Sequence, residues 1–510
     1  MKILVYSVNI ILALILNLFS QKYIAPEPDG NDTNPGTIEQ PYGTFAKAIS
    51  ETAPGDTVYV RGGVYNLTST ITITAVQSGS DSLMCTLTAY HDEQPLLDFS
   101  AQAFGSKGIS LKSNYWHIIG LQIKGAGDNG MEINFGSNNI IERCQFYENR
   151  DTGLQLSYGS ANNRIINCDS YYNADPPDYG DADGFAPKLT VGTGNYFYGC
   201  RAWGNCDDGW DGYLRGADDV TTTLENCWTW GNGYLKNGTD PGTQANGNGF
   251  KMGGGDNSNS DLLMHHFILI NCVSFENKGK GFDQNNNVGS MTLYNCSGYG
   301  NLVANYRIQR TLNEGQTLLV KNCDSYDGLV QLGTFAVQET NSWLDPFNVT
   351  ADDFISLDSE SADTVRQTDG SLPEIDFLHL AEGSDLIDAG VDLGYAYKGK
   401  APDLGAFESD YTTSAFENPN MVENFRLLQN YPNPFNPLTV ISWQLSAKSK
   451  IELNIYNLLG QKVITLLSQE QTAGFHQIEW NAVDMPSGVY FYQLKAGKNF
   501  VQTRKMILVK

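Results

Sequence analysis

Seven times between Asn138 and Gly328 the chain repeats one phrase: a short strand, a cysteine, an aromatic residue three places on, and usually an asparagine two further on. A unit with one apolar face can bury it only against its neighbours, so self-similarity of this kind predicts a solenoid. Equivalent positions in successive repeats then stack in columns. The sequence alone therefore says which residues are neighbours in space.

From Thr57 onward the pattern is strand, turn, strand, with β-branched and aromatic alternation and Gly-Asn turns. No long amphipathic helix interrupts it, and the repeat length varies because loops take up the surplus. A parallel β-helix fits; leucine-rich, propeller and helical repeats do not. Residues 21–42 read as an extended lead-in. Phe45, Ala48 and Ile49 share one face of a short helix ending before Pro54-Gly55, which would cap the open apolar end. Cys144, Cys168, Cys200, Cys227, Cys272, Cys296 and Cys323 occupy one repeat position and read as a packed column of small core residues rather than as disulfides. Cys85 and Cys206 lie off that register.

The repeats fade after Arg307, although strand-like pieces persist at 386–390 and 401–407. Residues 409–426 read as a linker. From Leu427 the chain is richer in lysine and predicts a small antiparallel β domain over 427–510. At the other end, Lys2, the apolar run Ile3–Phe19 and Ser20 form the pattern of a secretory signal peptide over 1–20, which leaves 21–408 for the solenoid. No later stretch is apolar enough to span a bilayer as a helix, and a monomer is expected.

With 32 basic and 57 acidic residues the net charge is −25. Nucleic acid and anionic membranes are poor partners for such a surface. An acidic polymer would be equally poor unless a cation stood between.

Within each repeat a glycine and a large apolar residue follow the asparagine: Gly153-Leu154, Gly184-Phe185, Gly209-Trp210, Gly249-Phe250, Gly281-Phe282. If the large residue points inward, the next points outward, because strand side chains alternate. That outward column reads Glu132, Gln155, Ala186, Asp211, Lys251, Asp283, Arg307. The turns before two of these pairs hold Asp183, and Asp207 with Asp208. Four carboxylates, Asp183, Asp207, Asp208 and Asp211, thus converge on two adjacent coils. They cannot all stay ionised without a cation, and an oxygen-only set suits Ca²⁺. Singly, each is an ordinary turn acid, and Asp178, Asp181, Asp218 and Asp219 are left as loop acids. Lys251, one coil on, is either a salt-bridge partner of Asp211 or Asp283, or a general base that a neighbouring cation helps to deprotonate. Insertions at 174–182 and 233–248 fall at one corner and would wall a groove for a linear polymer. Arg307 is the candidate for a carboxylate contact, or a surface partner of Asp283.

DADGFAPK (181–188), CRAWGNCDDGWDGY (200–213), NGNGFKMGG (246–254) and NKGKGFDQN (277–285) resemble polysaccharide lyase family nine, the pectate-lyase-like right-handed β-helix enzymes. The resemblance spans roughly 22–408. It implies that Asp183, Asp207, Asp208 and Asp211 hold a catalytic Ca²⁺, that Lys251 is the base, and that the reaction is β-elimination. The implied substrate is an acidic plant polysaccharide, polygalacturonate in some members and rhamnogalacturonan in others. YPNPFNPLT (431–439), IYNLLGQKV (455–463), SGVYFYQL (487–494) and KMILVK (505–510) resemble a C-terminal sorting domain of type IX secretion, which implies that machinery as a partner and a secreted or surface-attached product.

Two rival readings use the same fold. A hydrolase would use Asp207 and Asp208 as acid and base, but the Gly-His-Gly and Arg-Ile-Lys of β-helix polygalacturonases are missing, and His265-His266 look structural. A surface adhesin would bind polymer without cleaving it.

Overall fold

The structure, a computed structural model, describes residues 20–255, 262–411 and most of 426–510. The candidate signal peptide lies almost wholly outside the described residues. Two compact units emerge: 1–391 with 400–411, and 392–399 with 412–510.

The first unit is a right-handed parallel β-helix of three sheets with 10, 12 and 10 strands. One coil shows the path: Met131–Asn134 in the first sheet, Ile140–Glu142 in the second, Gln145–Tyr147 in the third, then Leu154–Ser157 back in the first. The register is the one the repeats dictate. Glu132 pairs with Gln155, Asp211 with Lys251, Lys251 with Asp283, and Asp283 with Arg307. The inward partners stack as a core ladder, with ring centroids 4.8 Å apart for Phe185–Trp210, 5.0 Å for Trp210–Phe250, 5.3 Å for Phe250–Phe282 and 4.7 Å for Phe282–Tyr306. The helix Phe45–Ser50 buries Phe45, Ala48 and Ile49 over the end of this core, and Thr44 accepts the Lys47 N–H as its cap. All nine cysteines are free and buried, as a thiol column requires.

The repeat asparagines have a role that the pattern alone left open. They line the corner between the third and first sheets. Each side-chain amide donates to the carbonyl of the next: Asn149 to Asn173 (2.9 Å), Asn173 to Asn205 (2.8 Å), Asn205 to Asn232 (3.0 Å), Asn232 to Asn277 (2.8 Å) and Asn277 to Asn301 (2.9 Å). All are buried. A buried amide is tolerated only when its donors and acceptors are met, and a column of identical amides meets them at every coil. The glycine of the next phrase is equally constrained: a Cβ on Gly209 would stand 2.0 Å from Thr229 Oγ1 and 2.7 Å from the Gly249 carbonyl.

The pieces at 386–390 and 401–407 are not strands. Residues 343–391 and 400–407 form an irregular strap on the outer face of the third sheet, where Leu386, Ile387 and Leu404 pack with Trp228, Val273 and Phe275. Turns hold the strap backbone, so its apolar side chains act as anchors rather than as one face of a strand. Arg366 fastens it by pairing with buried Asp169 (2.7 Å), which Arg201 also holds at 2.9 Å.

The second unit contains a three-stranded and a four-stranded antiparallel sheet around Trp443, Leu453, Tyr492 and Met506. It matches the small β-sandwich that the sequence predicts.

Breaking the asparagine column should be costly. Asn205→Ala removes the bond to Asn232 and leaves the Asn173 amide without its acceptor, so a loss of about 2–4 kcal/mol is expected in chemical denaturation.

Candidate active site

The first sheet places its outward column along the floor of the groove. Asp211 stands there directly beside Lys251 in the next coil. Asp183 and the pair Asp207-Asp208 arrive from the corner that the asparagine column shapes, each immediately before the glycine that lets the chain enter the sheet. Carboxylate oxygens of Asp183, Asp207 and Asp208 lie within 4.8 Å of one another. Asp211 stands beside this trio, 3.3 Å from Lys251 and 3.8 Å from Lys188.

Each member of the trio is oriented from outside. Asp183 Oδ2 accepts from Lys188 Nζ (2.7 Å) and Thr152 Oγ1 (3.3 Å), and its Oδ1 accepts the Asp208 N–H (3.2 Å). Asp207 Oδ1 accepts the Asn246 N–H at 2.6 Å. Asp208 Oδ1 accepts both the N–H (2.7 Å) and the side-chain amide (2.8 Å) of Asn248. The insertion before Asn246 is thus anchored on the aspartates it surrounds. Asp208 Oδ2 is buried without a hydrogen bond of adequate geometry, although the Lys251 ammonium lies 2.9 Å away as an ion-pair partner. An oxygen-only donor set with one such oxygen left over fits a hard cation.

Electrostatics separate the four acids. Burial, with repulsion from Asp211 and Asp208, pushes Asp183 well above the usual carboxylate range. Burial and the adjacent Asp208 do the same to Asp207. Burial opposes ionisation of Asp211 too, but Lys251 and Lys188 outweigh it and hold that carboxyl below its ordinary value. Burial alone would favour a neutral Lys251. The attraction of Asp208, Asp211, Asp207 and Asp183 overrides it and drives the amine well above its ordinary value. Its side chain keeps 12% exposure, so the amine still reaches the groove. Of the two salt-bridge partners that the sequence offers, Lys251 takes Asp211 at 3.3 Å and not Asp283, and it lies closer still to Asp208, at 2.9 Å.

Lys188 is the functional neighbour that the reading of the sequence missed. Its Nζ is 2.7 Å from Asp183 and 3.8 Å from Asp211, and donates to the Asp181 carbonyl at 3.2 Å. Alternation would have found it: Lys188 is two places past Ala186, so it points outward on the same strand line. Arg307 is exposed in the predicted column, two coils from Lys251, while Asp283 pairs with Lys280 at 3.2 Å. Asp219 pairs with His266, and the buried His265 bridges Thr222 and the Gly212 carbonyl at 2.8 Å each. Burial lowers His265 to about 4, as befits a structural imidazole.

Comparison with known proteins gives the family of the chain. Residues 23–322 match the model described as Pel9A-like, right handed beta helix region. The chain belongs to this family. It is 42% identical over 395 residues to pectate lyase L of Paenibacillus polymyxa (strain SC2), covering 73% of this chain and 84% of that protein. The crystal structure of pectate lyase Pel9A superposes with a TM-score of 0.69 at 35% identity, covering 77% of this chain and 97% of the other. A rhamnogalacturonan lyase at 24% identity and TM-score 0.61, covering 71% and 97%, shares the fold. Residues 429–510 match the secretion system C-terminal sorting domain.

Cation affinity should rise with pH. Asp183 and Asp207 retain protons at pH values where ordinary carboxylates have lost them, and a cation must expel those protons to bind. Titration calorimetry between about pH 5 and 8 should show tighter binding at the upper end and net proton release.

Proposed function

We propose that the protein is a pectate lyase that cleaves α-1,4-linked polygalacturonate by β-elimination, with Lys251 as general base and Ca²⁺ held by Asp183, Asp207, Asp208 and Asp211. A single observation carries the reading: in a chain 42% identical to a pectate lyase, carboxylate oxygens of Asp183, Asp207 and Asp208 from two adjacent coils lie within 4.8 Å of one another beside the outward Lys251 of the next coil. The 42% identity to a pectate lyase favours polygalacturonate over rhamnogalacturonan. Residues 21–408 form the catalytic unit, 409–426 the linker, and 427–510 the type IX sorting domain that directs export to the cell surface or medium. Residues 1–20 serve as the leader for the first membrane.

When bound, Ca²⁺ supplies charge withdrawal from the uronate carboxylate and offsets the acids that hold Lys251 protonated. The neutral amine of Lys251 then abstracts the C5 proton. The C4–O4 bond breaks, its oxygen leaves with the departing sugar, and a 4,5-double bond remains. Asp211 keeps the amine over the cage, and Lys188 keeps Asp183 and Asp211 in place. Arg307 meets a uronate carboxylate further along the groove. Cage and cation together reconcile an enzyme of net charge −25 with an acidic substrate.

Lys251→Ala should lower turnover by about 10²–10⁴-fold while circular dichroism and melting stay near wild type. Lys251→Arg should be equally inactive, because a guanidinium does not give up its proton. The readout is the near-ultraviolet absorbance of the unsaturated product, which chelation should abolish. Since the amine is raised and must be neutral to act, kcat/KM should climb from neutral into alkaline pH. An optimum near pH 5 would contradict the assignment.

A further inference from the structure

Two aromatic side chains at one edge of the first sheet are exposed and pack on each other alone among the large side chains of that corner. Phe135 and Tyr158 follow directly on the paired residues Asn134 and Ser157 of the first sheet. They occupy the same corner of successive coils, are 64% and 48% exposed, and their ring centroids lie 5.3 Å apart. Both take left-handed backbone conformations, with φ of 64° and 52°. That region disfavours bulky residues and suits glycine or asparagine. Leu189 takes the same turn on a neighbouring coil with φ of 61°, so the fold sets this backbone; what distinguishes these two coils is a large exposed ring upon it. The corner does not demand exposure: on the next two coils Leu189 is half-buried and Leu214 fully buried at the equivalent positions.

Their place relative to the site is set by the ladder. Tyr158 belongs to the coil of Gln155, which pairs with that of Ala186, which in turn precedes that of Asp211. Two coil steps put Tyr158 about 10 Å from Asp211 along the solenoid axis, with Phe135 one step further, and both lie three residues past the outward column, at the opposite edge of the first sheet from Asp183, Asp207 and Asp208. The floor there carries Glu132, which Lys107 neutralises at 3.3 Å and Asn134 binds at 3.0 Å. Lys107 also faces Asp128 at 3.8 Å, so this end of the sheet stays acidic and the two rings are its uncharged surface.

We propose that Phe135 and Tyr158 form a sugar-stacking platform that engages uronic acid residues of the same polymer, two and three positions from the cleaved linkage. The inference rests on the lyase reading of the Asp–Lys centre. A pyranose has an apolar C–H face that packs on an aromatic ring without reference to charge. Such contacts suit an acidic protein holding an acidic chain, because they add affinity at no electrostatic cost. A coil spacing close to the length of one sugar sets the two rings against successive residues of a chain that runs over the first sheet, with the acids along its other edge.

The test is the double variant Phe135→Asn, Tyr158→Asn. Asparagine accepts the left-handed backbone, so the melting temperature should hold or rise. KM for polygalacturonate should increase about tenfold with kcat within twofold, the loss should be smaller on trigalacturonate, and retardation in polygalacturonate-containing gels should weaken. An unchanged KM and mobility would overturn the platform. So would equal losses on polymer and trimer, or a fall in melting temperature alongside the loss, since the rings would then be structural. A wild-type protein that bound polymer without releasing unsaturated product would instead undo the reading of the Asp–Lys centre. Gel retardation of wild type and variant would still decide the platform.

Discussion

The buried amide column that runs from Asn149 to Asn301 is the constraint on which the rest depends. Each rung fixes the height of one coil against the next at the corner where the chain turns into the first sheet. Asp207 and Asp208 sit two and three residues past Asn205, and Asp183 returns to the same corner after the insertion that follows Asn173. A cage assembled from residues of separate coils needs a vertical ruler, and a hydrogen-bonded column of one residue type supplies it at modest cost. Hydrophobic stacking alone would allow coils to slide.

The same corner accepts insertions without disturbing the ruler. Residues 174–182 and 233–248 leave after Asn173 and Asn232 and return before the next glycine. Their return points are tied to the site: Asn246 and Asn248 bond to Asp207 and Asp208. Loops that wall the groove are thus fastened to the aspartates they enclose. This couples the shape of the substrate channel to the geometry of the cage.

Charge is arranged with similar economy. Four acids crowd two coils, and two lysines answer them from the same face. Lys188 is buried against Asp183 and stands as a fixed counter-charge. Lys251 keeps 12% of its side chain exposed and pairs with Asp208 and Asp211. Burial and charge act in opposition on both amines, and charge prevails because several carboxylates face each one. A cation entering the cage would take over part of that role for Lys251 alone.

Much of this was legible in the sequence because a solenoid converts sequence periodicity into spatial neighbours. The Cys–aromatic–Asn phrase determined the stacked coils. The Gly–aromatic phrase determined the outward column of Asp211, Lys251 and Arg307. Alternation, followed two places further, would have revealed Lys188 as well. The strap over 343–391 and 400–407 was not legible, because a segment held by side-chain anchors and by Arg366 on Asp169 has no period to read. Nor did the pattern distinguish an amine facing the acids across a sugar from one leaning on them. Register assigns a residue to a column, but ion-pair distances and the direction of a carboxylate depend on partners from several coils at once, and only the folded chain brings those together.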